Sequence, residues 1–282
     1  MALLDVAQAV VSREVDLRVE ELELPWNRHG IDRFGISKPH LKLFFTLLEP
    51  LYRTYFSVAN VGLAHVPKRG RAMLVGNHSG GIAIDGVLVI ASMFFDLAPP
   101  RLAQGMTEKF LNRLPYASLW SNRVGQFTGL PEHAARLLHD DRLLMVFPEG
   151  ARGTAKLFHE RHSLVRFGSG FMRLALATKT PIVPLACLGG GEAMPTIANA
   201  KALGKLLGVP YVPITAYGLP IPLPAHFDIV YGAPMEFDGN GDEEDRVIER
   251  YVDDVKSRIA TMMERARHAR ERGEVPPPEV TA

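Results

Sequence analysis

Short continuous apolar runs alternate along this chain with stretches whose hydrophobic positions recur every three or four residues. Residues 71–76 (RAMLVG), 142–147 (RLLMVF) and 182–188 (IVPLACL) are bounded by Gly, Asn, Asp or Pro, as expected of strands buried on both faces. A later strand is expected over 227–231. Between these runs the spacing predicts helices over 86–97, 132–139 and 164–178, the first closed by Pro99 and Pro100. Near the C-terminal end Ile248, Val252, Val255, Ile259 and Met262 step by four, three, four and three, which predicts a long amphipathic helix from 243 to about 272. Helices alternating with apolar strands indicate an α/β fold in a single domain.

The first 60 residues are less regular. Over 38–58, Leu41, Phe44, Phe45, Leu48, Leu51, Tyr52, Tyr55 and Phe56 fall at helical intervals, with Lys42, Glu49 and Arg53 off the stripe and Pro50 expected to kink the helix. An aromatic face beside Lys and Arg suits a helix lying among lipid headgroups, and equally one that covers the core. Residues 1–24 carry six acidic side chains against two basic ones, a net −4, and 27–37 (NRHGIDRFGIS) is a Gly-punctuated loop. The expected organisation is therefore a loosely held acidic arm over 1–37, a domain over 38–272 and a disordered tail over 273–282.

Composition narrows the class of function. The 282 residues are 47% hydrophobic and carry a net charge of +1, which argues against a nucleic-acid binder, since that role needs a basic excess. One Cys excludes a disulfide framework and any multi-thiolate metal site, and Cys187 is expected to pack. The apolar stretch at 2–11 lacks a basic leader, and no run reaches the ~18–20 charge-free apolar residues that span a bilayer. Around the aromatic helix, Lys38, Lys42, Arg53, Lys68, Arg69 and Arg71 oppose Glu49, a local +5. At about 1 kcal/mol per basic residue near an anionic leaflet, that patch would bind a membrane surface; a merely solvated basic face is the alternative.

Two stretches could carry chemistry. In Gly76-Asn77-His78-Ser79-Gly80-Gly81-Ile82-Ala83-Ile84-Asp85-Gly86 a strand gives way to a helix, the place where open α/β sheets bind ligands. A His there can take a proton from a hydroxyl if a carboxylate sets its tautomer, and Asp85 is the nearest. Asp85 could equally be a helix cap and Gly80-Gly81 a plain turn. In the second, Val146-Phe147-Pro148-Glu149-Gly150-Ala151-Arg152-Gly153, a turn after a strand presents Glu149 and Arg152, with Lys156 nearby; a guanidinium suits bidentate contact with phosphate. An ordinary turn with solvated charges would look the same.

Together, in this order, the two blocks resemble the lysophospholipid or glycerolipid acyltransferase family, with its NH-(x)n-D and FPEG-x-R blocks. Pro181-Ile182-Val183-Pro184-Leu185 is similar to the apolar strand that follows them there, and the resemblance covers about 63–187. It departs in one respect: the usual block has four residues between His and Asp, and here six separate His78 from Asp85. The resemblance implies a mixed central sheet flanked by helices, with His78 and Asp85 catalytic. Glu149, Gly150, Arg152, Lys156 and, more loosely, Arg123 would bind the acceptor. It further implies an acyl-CoA or acyl-carrier protein co-substrate, no metal or other cofactor, and peripheral attachment to the cytoplasmic face of a membrane. Met93, Phe94 and Phe95 are candidates for the lining of an acyl tunnel. A lipid-binding protein without activity is the rival of a different class.

Three other patterns fail on spacing. Ser79 lacks the G-x-S-x-G frame of a hydrolase, and His159-Glu160-Arg161-His162 is one residue short of a zinc-protease motif. Gly189-Gly190-Gly191 has neither dinucleotide nor P-loop spacing.

Overall fold

Seven strands form one mixed sheet in the computed structural model, which describes residues 11–107, 117–128 and 130–278. In chain order they are β1 (Ala59–Val61), β2 (Ala72–Gly76), β3 (Ala103–Thr107), β4 (Phe127–Thr128), β5 (Leu143–Val146), β6 (Ile182–Leu188) and β9 (Asp228–Tyr231). They lie side by side as β1-β9-β6-β2-β5-β3-β4, all neighbours parallel except β6 and β9. The central strands β2 and β6 are buried along their whole length, which is why they read as unbroken apolar runs and not as alternations. β7 (Thr196–Ala200) and β8 (Val212–Thr215) form a separate antiparallel pair, an excursion between β6 and β9 that the pattern did not predict.

Helices cover both faces. α1 (Arg13–Glu21) and α2 (Lys38–Pro50) precede the sheet, α3 (Ile84–Phe95) follows β2, and α4 (Ala117–Arg123) and α5 (Pro131–His139) flank β4. The single-turn α6 (Ala151–Thr154) follows β5, α7 (Gly170–Thr178) leads into β6, and α8 (Gly190–Ala193) leaves it. α9 (Lys201–Leu207) joins β7 to β8, and α10 (Asp245–Glu271) closes the chain. α10 buries the stripe read from the sequence, Ile248 to Met262, against β6. α7 begins six residues later than the periodicity suggested, because residues 164–168 run extended past the second candidate block and Val165 N–H bonds to Glu149.

The N-terminal region departs furthest from expectation. Residues 12–37 are neither loose nor separate: Val15, Val19 and Leu22 are buried in the main core. α1 lies along α2 and turns its acids on the basic patch. Lys42 pairs with Asp16 and Glu20, Lys38 with Glu20, Arg53 with Glu14 and Arg69 with Glu23. Four of the arm's acids thus face four of the patch's basic side chains. The 27–37 loop is held by Asp32, which accepts from Phe34 N–H and Ile36 N–H and forms a buried ion pair with Arg142 at 3.1 Å. Residues 1–10 and 279–282 lie outside the described residues, and with them most of the 2–11 stretch and the last of the tail.

The aromatic face of α2 turns inward. Phe45 stacks on Phe94 with centroids 3.5 Å apart, and Tyr52 packs on Phe95. After Pro50, where a kink was expected, the helix continues directly as a π-helical turn (Leu51–Tyr55). This packing corrects the tunnel expectation: Met93, Phe94 and Phe95 are closed into the core between α2 and α3 and line no open channel. Among the described residues no helix is long and apolar enough to cross a membrane.

Candidate active site

β2 leaves the sheet at Gly76, and Asn77 continues its pairing with a side chain. Asn77 Oδ1 accepts from Cys187 N–H at 2.7 Å, and Nδ2 donates to the Cys187 carbonyl at 2.9 Å. The amide stands in for one more peptide of the β2–β6 ladder and fixes where the next residue, His78, emerges. Burial pushes the Cys187 thiol well up, so that side chain packs and stays protonated.

His78 and Asp85 meet across the six-residue gap. His78 Nδ1 lies 2.7 Å from Asp85 Oδ1, within ion-pair distance though off the line of a full hydrogen bond. Asp85 is fully buried in the first turn of α3, where Oδ2 accepts from Ser79 N–H and Oδ1 from Gly86 N–H. It lies against the His and anchors the loop; it is not the helix cap, since that position is Ala83, with no side-chain bond to the helix end. With a carboxylate at Nδ1, the ring's proton belongs there and Nε2 is left as the acceptor. The ring is 7% exposed and stacks on Phe147, centroids 4.4 Å apart.

The surplus residues are taken up where glycine is required. Gly80 has φ +86°, and a Cβ there would stand 2.5 Å from the Gly190 carbonyl oxygen. The Gly189-Gly190-Gly191 run, which fits no nucleotide motif, is the floor on which the loop after His78 rests.

The second block comes down on the first. After β5 the chain turns through Gly150 (φ +57°) into α6, and Gly153 lies against His78: a Cβ there would be 2.7 Å from both His78 Cβ and Glu149 Cβ. Sequence reasoning missed Gly153, whose only signal was its place within the block.

Glu149 and Lys156 do not fit their expected part as groups touching an acceptor. Glu149 is 1% exposed; Oε1 accepts from His78 N–H and Oε2 from Val165 N–H, both at 2.8 Å. Lys156 Nζ reaches both carboxylate oxygens at 3.0 and 3.1 Å and the Ser163 carbonyl at 2.8 Å. This buried pair positions the His78 backbone. Arg152 is exposed; it donates to the Arg166 carbonyl at 3.1 Å, and its other donors have no partner among the described residues. Arg123 is engaged elsewhere, donating to the Gly35 carbonyl, and none of its contacts reaches His78. In the stretch 159–162, Glu160 accepts from Leu157 N–H and His162 lies near Glu192.

Residues 57–188 match the model of the family described as Acyltransferase, a span that takes in both blocks and β6. That stretch of this chain is thus similar to the acyltransferase family. The chain is 33% identical to an uncharacterized protein of Mycobacterium tuberculosis over 217 residues, which make up 73% of this chain and 60% of that protein. The chain thus spans about 60% of the length of this mycobacterial relative. It is also 26% identical, over 60% of this chain and 49% of that protein, to a Gallus gallus protein named DGAT1/2-independent enzyme synthesizing storage lipids. Among solved structures, the 1-acyl-sn-glycerophosphate (LPA) acyltransferase PlsC from Thermotoga maritima shares the fold, with a TM-score of 0.51 at 15% identity over 80% of this chain and 82% of that one. The chain has the expected mixed sheet, N-terminal amphipathic helix and long C-terminal helix.

Proposed function

We propose that this protein moves a fatty acyl group from a thioester, acyl-CoA or acyl-carrier protein, to a hydroxyl of a glycerolipid, with 1-acylglycerol-3-phosphate as the foremost acceptor. The observation that carries the reading is the His78–Asp85 pair at the end of a central strand, with the exposed Arg152 on the loop packed against it.

His78 Nε2 takes the hydroxyl proton as the acceptor oxygen attacks the thioester carbonyl carbon. Asp85 supports the imidazolium so formed. Collapse of the tetrahedral adduct breaks the C–S bond, and the same proton passes to the departing thiolate, so one ester and one free thiol result and no acyl-enzyme intervenes. Arg152 suits the acceptor's phosphate, while Glu149 and Lys156 act at one remove by holding the His78 backbone. An acceptor of this kind resides in a bilayer, so the reading includes peripheral attachment at the cytoplasmic face.

A second acceptor class, a neutral lipid such as diacylglycerol, is favoured by the storage-lipid relatives. An acceptor screen with detection of released thiol and mass spectrometry of the product separates the two. His78→Ala is expected to lower turnover by about 10²–10⁴-fold; unchanged turnover would remove His78 as the base.

A further inference from the structure

The lipid face expected on α2 is folded inward, yet the molecule keeps a large exposed apolar surface elsewhere. Of the eighteen large hydrophobic side chains exposed among the described residues, eight fall between 197 and 223, in the β7–α9–β8 excursion and the loop that follows it. α9 exposes its leucines as well as its lysines and buries only Gly204. Its Gly204 packs on the Tyr211 backbone, while Leu203, Leu206 and Leu207 point outward, Leu206 81% exposed.

The segment is not a frayed loop. Tyr211 hydroxyl donates to the Gly81 carbonyl at 3.1 Å, Asn199 Nδ2 to the Ala155 carbonyl at 2.6 Å, and Tyr55 hydroxyl to the Pro222 carbonyl at 2.8 Å. Two of these anchors are the catalytic loop and the chain just after α6, so the apolar surface is tied to the His78 site.

Its charge and its backbone both point to one kind of partner. From 193 to 227 there is no Asp or Glu, while Lys201 and Lys205 flank the exposed leucines on α9. Apolar side chains beside lysines, with no acid to repel phosphate, complement an anionic lipid surface. In 219–224 (LPIPLP) Leu219, Ile221 and Leu223 are exposed and alternate with prolines, which have no N–H to leave unsatisfied when water is removed.

We propose that the 196–224 excursion, and not α2, is the surface by which this protein docks on anionic membranes, holding the His78 site at the lipid boundary. The proposal rests on the glycerolipid reading for its purpose but not for its test.

The full chain is sedimented with vesicles of phosphatidylcholine with and without phosphatidylglycerol, and thiol release is followed with vesicle-borne acceptor and with a monomeric short-chain one. The double variant Leu206→Asp/Leu207→Asp is expected to lose vesicle binding by at least about tenfold. Turnover on the monomeric acceptor should stay near wild type. Lys201→Glu/Lys205→Glu should lose binding only to vesicles containing phosphatidylglycerol, and Leu47→Asp on α2 should bind as wild type. The proposal is overturned if the wild-type chain ignores both vesicles, if the leucine pair is indifferent, or if Leu47→Asp alone abolishes binding. Self-association in sedimentation velocity that the leucine substitutions abolish would also overturn it, naming a second copy as the occupant. Vesicle binding that depends on Leu206 and Leu207 without thiol release from any acceptor would uphold the surface and reject the acyltransfer reading.

Discussion

The backbone at His78 is fixed by the Asn77 rung against Cys187 and by the bond from the His78 backbone N–H to Glu149, and its imidazole by Asp85 at Nδ1 and Phe147 on its face. His78 and Asp85 were legible because their types and order match a block. Gly153 was not, because the need for it arises only where two loops 75 residues apart touch. Gly153→Ala should therefore cost about 1–3 kcal/mol and lower kcat more than KM, since the added methyl must displace His78; urea denaturation and initial rates read both effects. Nor could sequence say that Glu149 turns inward. Glu149→Gln leaves the Lys156 ammonium buried without its counter-charge and should cost about 3–5 kcal/mol, whereas adding Lys156→Met should recover much of that stability without restoring the bond to Val165.

At the scale of elements, periodicity was a better guide to what forms than to which way it faces. The helix from 38 and a change in it at Pro50 were readable, because both are local properties of the backbone and side-chain spacing. Its partner was not: α1 pairs with Lys38 and Lys42 and the core takes most of the aromatic side chains, so the stripe faces largely inward. Likewise the 27–37 segment lacks any period, yet Asp32 orders it through two backbone N–H groups and Arg142, 110 residues away. Asp32→Ala should lower stability by about 3–5 kcal/mol by leaving Arg142 buried beside Asp140 alone, with a matching fall in the denaturation midpoint. β3 and β4 escaped notice because a strand such as AQGMT has neither alternation nor an unbroken apolar run.

For the whole molecule, the core reaches from α1 through the sheet to α10, so one cooperative transition is expected, and Cys187 at its centre reports it. Burial raises the thiol's pKa, so raising pH through the range where a free Cys ionises should not speed modification of the native protein; labelling should track global unfolding in denaturant. Run length, helical period and the order of the two blocks that carry His78 and Glu149 were set by the sequence alone, since each depends on near neighbours in the chain. Which carboxylate serves the histidine's ring and which its backbone, which helix face meets water, and which apolar segment stays exposed were decided by tertiary structure. Those outcomes turn on burial and charge pairing between residues far apart in the chain, whose free energy exists only once the sheet has brought them together.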